Sequence, residues 1–99
     1  MEKEELILVD EFCNYHQIKV SFIHNMQELG LVQMVNKDER YYLSYNQLST
    51  LNTFISLHYD LMINPEGIDA ITHLVNKIKN MQAEILFLKN KLRLYEDTI

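Results

Sequence analysis

The sequence predicts a mainly α fold: a winged helix-turn-helix with a small β wing, followed by a long C-terminal coiled-coil helix. Three observations carry that reading. Two short stretches with apolar residues at helical spacing meet across a tight turn, and the second closes at Gly30. A polar tetrapeptide, Asn36 to Glu39, separates two short strand-like runs. From Ile71 to Tyr95, apolar residues recur at alternating spacings of three and four without a slip. The expected division is a winged helix-turn-helix-like domain over residues 1–62 and a long helix for dimerisation over 63–99.

The elements follow in order. Glu5 to Val9 (ELILV) is a short apolar run suited to a strand, and Asp10 is placed to cap a helix from Glu11 to about Gln17. The inward side of that helix would use Phe12, Cys13 and Ile18. A second helix is expected from about Val20 to Leu29, with Phe22, Ile23, Met26 and Leu29 inward. Gly30 stands where a left-handed C-terminal cap is wanted. Leu31 to Val35 and Arg40 to Leu43 read as the two strands of a wing. Ser44 to Gln47 (SYNQ) has the spacing of a capping box, in which serine and glutamine side chains bond each other's backbone amides. The helix it opens carries Leu48, Leu51, Phe54, Ile55, Leu57 and His58 and ends near Leu61.

Asn64-Pro65 restarts a helix. Asparagine caps well, and proline is tolerated at the first helical position because its missing amide proton has no use there. The seam residues Ile71, Leu74, Ile78, Met81, Ile85, Leu88, Leu92 and Tyr95 span more than three heptads. About thirty helical residues extend roughly 45 Å, longer than a domain of this size is wide. Each buried seam side chain is worth on the order of 1.5–3 kcal/mol, and left in water the stripe invites aggregation. The helix therefore either folds back over its own domain or pairs with a second copy; a coiled-coil homodimer is the expectation. Phe87 and Leu94 lie outside the strict seam and widen the apolar face, which makes room for a contact with the partner's domain.

Charge is unevenly spread. Residues 1–66 carry ten acids against four bases, a balance of −6, whereas residues 67–99 carry four acids against five bases. Nucleic-acid binders show the opposite asymmetry on the reading domain, because phosphate neutralisation supplies most of their affinity. The predicted second helix holds His24 and Glu28 but no lysine or arginine. DNA is thus not the expected partner; an acidic face suits a basic protein, or is simply a solvated surface. No run is long enough to span a bilayer. The acidic start, Met1 to Glu5, fits neither a secretory signal nor a transit peptide, and a cytoplasmic protein is expected.

Little points to catalysis. Cys13 is the only cysteine, and although His16 follows three residues later, a metal site needs three or four ligands. Cys13 reads as a small buried apolar residue. His24, His58 and His73 fall on three separate expected helices, with no nucleophile or carboxylate arranged around any of them. With two glycines in the chain there is no phosphate-cradling loop. No enzyme, cofactor or metal is expected. Tyr41, Tyr42 and Tyr45 cluster with Arg40 at the end of the wing, either as an interface anchor or as a hinge where the hairpin packs on a helix.

This order of elements resembles that of MerR-like proteins, whose second helix reads roughly V-S-x-x-T-I-R-Y-Y-E-x-x-G-L. Setting Gly30-Leu31 on the final pair places Ile23 on the isoleucine and His24, Asn25 and Met26 on the R-Y-Y triplet. The arginine and tyrosines through which such regulators hold DNA are absent, and Lys19 stands where a capping serine or threonine is usual. Three stretches resemble the chaperone-modulator family, CbpM, more narrowly: Glu11-Phe12-Cys13, Leu29-Gly30-Leu31-Val32, and Leu57 to Glu96 with its Pro-x-Gly-Ile helix start.

That resemblance implies a protein that binds the J-domain of a DnaJ-like, curved-DNA-binding co-chaperone and inhibits its co-chaperone and DNA-binding activities. It also implies long helices paired antiparallel, as in MerR-like relatives. Candidate contacts on the partner are Glu11, His24, Asn25 and Glu28 on the helix-turn-helix, and Asp38 and Glu39 on the wing. The alternative is a MerR-like DNA-binding transcriptional regulator reading through Lys37, Arg40 and Tyr41. A third possibility is an adaptor that uses the heptads alone.

Overall fold

The structure, a computed structural model, describes residues 5–97. Most of the Met1–Glu5 stretch, and the last two residues of the expected helical region, lie outside the described residues. Contacts divide the chain into two units that meet between Asp69 and Ala70. The division falls later than residue 62 because the first turn of the last helix belongs to the first unit, where Ile68 is fully buried.

The first unit runs β1 (Leu6–Leu8), α1 (Val9–His16), α2 (Val20–Glu28), β2 (Val35–Lys37), β3 (Arg40–Ser44) and α3 (Leu48–Ile55). The chain then tightens into a five-residue π turn, Ser56–Asp60, before α4 (Pro65–Asp97). The fold is mainly helical with a small antiparallel sheet and a long C-terminal helix, as the sequence predicts. The sheet has the order β1-β3-β2, with Ile7 opposite Leu43 and Asn36 opposite Tyr41. The first strand therefore completes the wing's sheet.

Several local expectations are corrected. The first helix begins at Val9, and Asp10 lies inside its first turn and makes no capping hydrogen bond. Val9 is buried, and hydrophobic packing sets that boundary. Leu31 to Met34 are not strand; the second strand starts only at Val35. The cause is Gln47, whose side chain clamps Gln33 by accepting from its amide at 2.7 Å and donating to its carbonyl at 2.9 Å. Committed there, Gln47 forms no capping box; Ser44 Oγ instead donates to Asn46 Oδ1 and accepts from Gln47 Nε2 at 3.3 Å.

Helix ends are closed as the backbone requires. Gly30 takes φ +76°, and the amides of Gly30 and Leu31 donate to the carbonyls of Gln27 and Met26, both at 2.9 Å. That paired closure satisfies carbonyls the helix would otherwise orphan. The same closure ends α1, with Gln17 at φ +55° and Ile18 N donating to Cys13 O at 3.0 Å. Asn64 Oδ1 accepts from the amide of Gly67 at 2.7 Å, so the expected cap of α4 forms.

The core gathers Phe12 and Cys13 of α1, Phe22, Ile23 and Met26 of α2, Leu43 of β3, Leu51 and Phe54 of α3, and Ile68. The apolar periodicity of α2 is thus entirely spent inward. Burial of each such side chain contributes on the order of 1.5–3 kcal/mol. The second unit is the helix itself. Its seam side chains from Leu74 to Tyr95 are exposed, Ile85 to 52 % and Leu92 to 59 %, while Ile71 is half-buried.

Candidate partner-binding surface

With Phe22, Ile23 and Met26 buried, α2 turns Ser21, His24, Asn25, Gln27 and Glu28 outward. Of the three residues standing at the R-Y-Y positions, Met26 is a core residue and only His24 and Asn25 reach the surface. No lysine or arginine lies anywhere in Val20–Glu28. Glu11 is exposed on α1.

The wing closes tightly. Lys37 pairs with Arg40, so Asp38 and Glu39 alone make the turn, with φ of +51° and +65°. Two consecutive positive φ values are those of a type I′ hairpin turn, whose twist matches that of the strands. Both carboxylates stand exposed at its tip.

The wing folds over α2. The ring of Tyr41 meets that of His24 edge-on, with centroids 5.8 Å apart and planes at 83°. Beside this contact is a cleft of about 150 Å³ lined by Val9, Asp10, Val20, His24, Glu39, Arg40 and Tyr41. It brings together two of the expected contact residues, His24 and Glu39. Glu11, Asn25, Glu28 and Asp38 do not line it. Sequence reasoning missed Asp10 here by assigning it to a helix cap, and put Arg40 and Tyr41 with the DNA-reading alternative. The missing signal was that Val9 is apolar enough to start the helix, which leaves Asp10 pointing outward.

A second, more apolar cleft of about 260 Å³ lies among Ile7, Phe12, Tyr15, His16, Leu48 and Asn52. Tyr15 stands 84 % exposed at its edge. Neither side of this cleft was legible as a site. His16 contacts the rings of Phe12 and Tyr15, at 4.4 and 5.0 Å.

The remaining polar candidates are structural. His58 stacks on Phe22 at 4.8 Å, and its Nδ1 lies 2.7 Å from the carbonyl of Ile63. A carbonyl only accepts, so that nitrogen carries the proton. The imidazole thereby ties the π turn to α2 and to the approach of α4. Tyr59 reinforces the joint, its hydroxyl accepting from the amide of Lys19 at 3.3 Å. Cys13 is buried, and burial, then the charge of Asp10, raise its thiol pKa to about 11. Among the described residues no group of three or more histidine, cysteine or acidic side chains could hold a metal ion. No helix among them is long and apolar enough to cross a membrane.

Two short helices closed at Gly30, a two-residue wing folded onto the second of them, and a long following helix define a winged helix-turn-helix protein of the regulatory type. The chain belongs to the MerR HTH family regulatory proteins, whose family model matches residues 7–90. No curated protein and no solved structure matches it.

Proposed function

We propose that this MerR-family chain is a chaperone modulator of the CbpM type: its winged domain binds the J-domain of a DnaJ-like, curved-DNA-binding co-chaperone and inhibits it. The carrying observation is the outward face of α2, which offers a histidine, two amides and a glutamate where a DNA reader needs cations. Around it, residues 5–66 expose eight acids and three bases. J-domains present a basic helix, and an acidic face draws such a partner in and orients it. The proposal includes a homodimer through the exposed α4 seam.

The alternative is a DNA-binding transcriptional regulator, favoured by the exposure of Lys37, Arg40 and Tyr41 on the wing. One set of measurements separates the two. The purified protein is expected to retain a J-domain protein in a pull-down, and to bind no duplex even at low salt, where phosphate contacts are strongest. Glu28→Lys and Glu11→Lys should weaken the J-domain complex. Duplex binding that falls steeply with salt, with no J-domain protein retained, would overturn the proposal in favour of the alternative.

A further inference from the structure

We propose that the cleft between α1, α2 and the wing receives one lysine or arginine side chain of the protein partner, with Arg40 as a built-in competitor for that place. This rests on the chaperone-modulator reading and deepens it, by naming the pocket that a basic J-domain helix would enter. The cleft, about 150 Å³, has room for a single extended side chain and not for a helix or a stretch of duplex. Its walls come from elements that only the fold brings together. Val9 and Asp10 stand at the start of α1, Val20 at the start of α2, and Glu39, Arg40 and Tyr41 belong to the wing.

Each wall suits a different part of such a side chain. Val9 and Val20 offer apolar surface to an alkyl stem, which long basic side chains bury while their charged heads stay among polar groups. Tyr41, 42 % exposed and in edge-on contact with His24, adds an aromatic ring that attracts a cation. The carboxylates of Asp10 and Glu39 receive the head. Both residues are exposed, so water still reaches them and pairing incurs little desolvation. Formal charge in the cleft is two acids against Arg40, and one entering cation brings it to neutrality. A phosphate would be repelled by both carboxylates, and a wholly apolar side chain would strip water from charged groups without replacing it.

The charged groups do not contribute alike. Asp10 lies in the first turn of α1, where the partial positive charge of the helix end absorbs part of its field. Glu39 stands on the wing turn, outside any helix, and carries the larger share. Arg40 opposes the entering cation, because like charge repels it and the guanidinium competes for the same carboxylates. The sign of the effect at Arg40 separates this arrangement from nucleic-acid reading, in which that residue would hold phosphate.

Titration calorimetry of the full chain with the J-domain of a DnaJ-like, curved-DNA-binding co-chaperone tests the cleft. Glu39→Gln should weaken binding roughly fivefold and Asp10→Asn about twofold, whereas Arg40→Gln should tighten it about threefold. All three side chains are exposed, so the variants should fold, which circular dichroism checks. Glu39→Gly, which relieves the turn, should weaken binding as Glu39→Gln does and guards against a loss of folding. On the J-domain, alanine at one lysine or arginine should abolish the effect of Glu39→Gln in a double-mutant cycle. Equal binding by the parent and both Glu39 variants, an Arg40→Gln that weakens the complex, or the absence of any coupled J-domain cation overturns the cleft and leaves the chaperone-modulator reading standing. A parent chain that binds no J-domain overturns both.

Discussion

Glu39→Gly should stabilise the winged unit while weakening its hold on a basic partner. Glu39 sits at φ +65° in the second position of a two-residue hairpin turn, where glycine is the usual occupant. Holding a side-chain-bearing residue in the left-handed region costs about 1–2 kcal/mol. Glycine in its place returns roughly 0.5–1 kcal/mol through the extra freedom of the unfolded chain. Glu39 is exposed at the tip of the wing, so no buried contact offsets the difference. The net gain is about 0.5–1 kcal/mol, which for a unit this small raises the melting temperature by roughly 4 °C. Urea unfolding followed by circular dichroism measures the gain, and titration with a J-domain measures the loss of affinity. A midpoint that is unchanged or lowered would refute the strain argument. Higher stability with unaltered binding would keep the strain but remove Glu39 from the interface. Strained residues concentrate where function holds them, and an acid kept at this turn position fits that pattern.

Three further outcomes are expected. Gly67→Ala should destabilise by about 1–2 kcal/mol in urea unfolding, although alanine is ordinarily the better helix former by about 1 kcal/mol. A Cβ there would lie 2.7 Å from Ile63 Cγ2 and 2.9 Å from the capping Asn64 Oδ1, and the penalty should shrink in an Asn64→Ala background. Ile23→Ala empties a fully buried site shared by all three helices of the winged unit, and should cost roughly 2–5 kcal/mol by the same assay. The Cys13 thiol, raised from an ordinary value of 9.0 to about 11 by burial and then Asp10, should resist alkylation at pH 8 until urea is added. Because the folded state favours the neutral thiol, its contribution is intact below pH 9 and is lost as pH rises towards 11; Cys13→Ala should remove that alkaline slope.

What was legible in the sequence was periodic. Phe22, Ile23 and Met26 repeat at helical spacing because one face of α2 is buried, and Gly30 marks its end because its φ of +76° suits no other residue as well. Asn64 caps α4 as expected. What was not legible depended on distant partners. Leu31 to Met34 alternate like a strand, but Gln47, fourteen residues on from Gln33, captures the backbone that a ladder would have used. That same capture emptied the apparent capping box at Ser44. Gln17 ends α1 in a left-handed conformation with no glycine to announce it. The cleft beside Tyr41 escaped notice because it joins α1, α2 and the wing, and no local spacing encodes such a meeting.

The residues that build the winged scaffold and those proposed to choose its partner are different sets. The family model matches residues 7–90, and the scaffold within that span is held by inward residues and one closure: Phe22, Ile23, Met26, Leu43, Leu51 and Gly30. The first five of these side chains are buried and cannot touch a ligand without unfolding the domain. The outward set on α2 and the wing tip, His24, Asn25, Glu28, Asp38 and Glu39, is exposed and lies outside that core. Fold therefore carries no information about whether phosphate or protein is held, and only the chemistry of that second set does. There the exposed balance is acidic, and Asp10, Glu39 and Arg40 line one cleft together. Against a duplex each of these carboxylates adds repulsion, and against a cationic helix each adds attraction. Charge reversal at Glu28 thus has opposite signs for the two partners, which is why it discriminates where deletion of the whole helix would not.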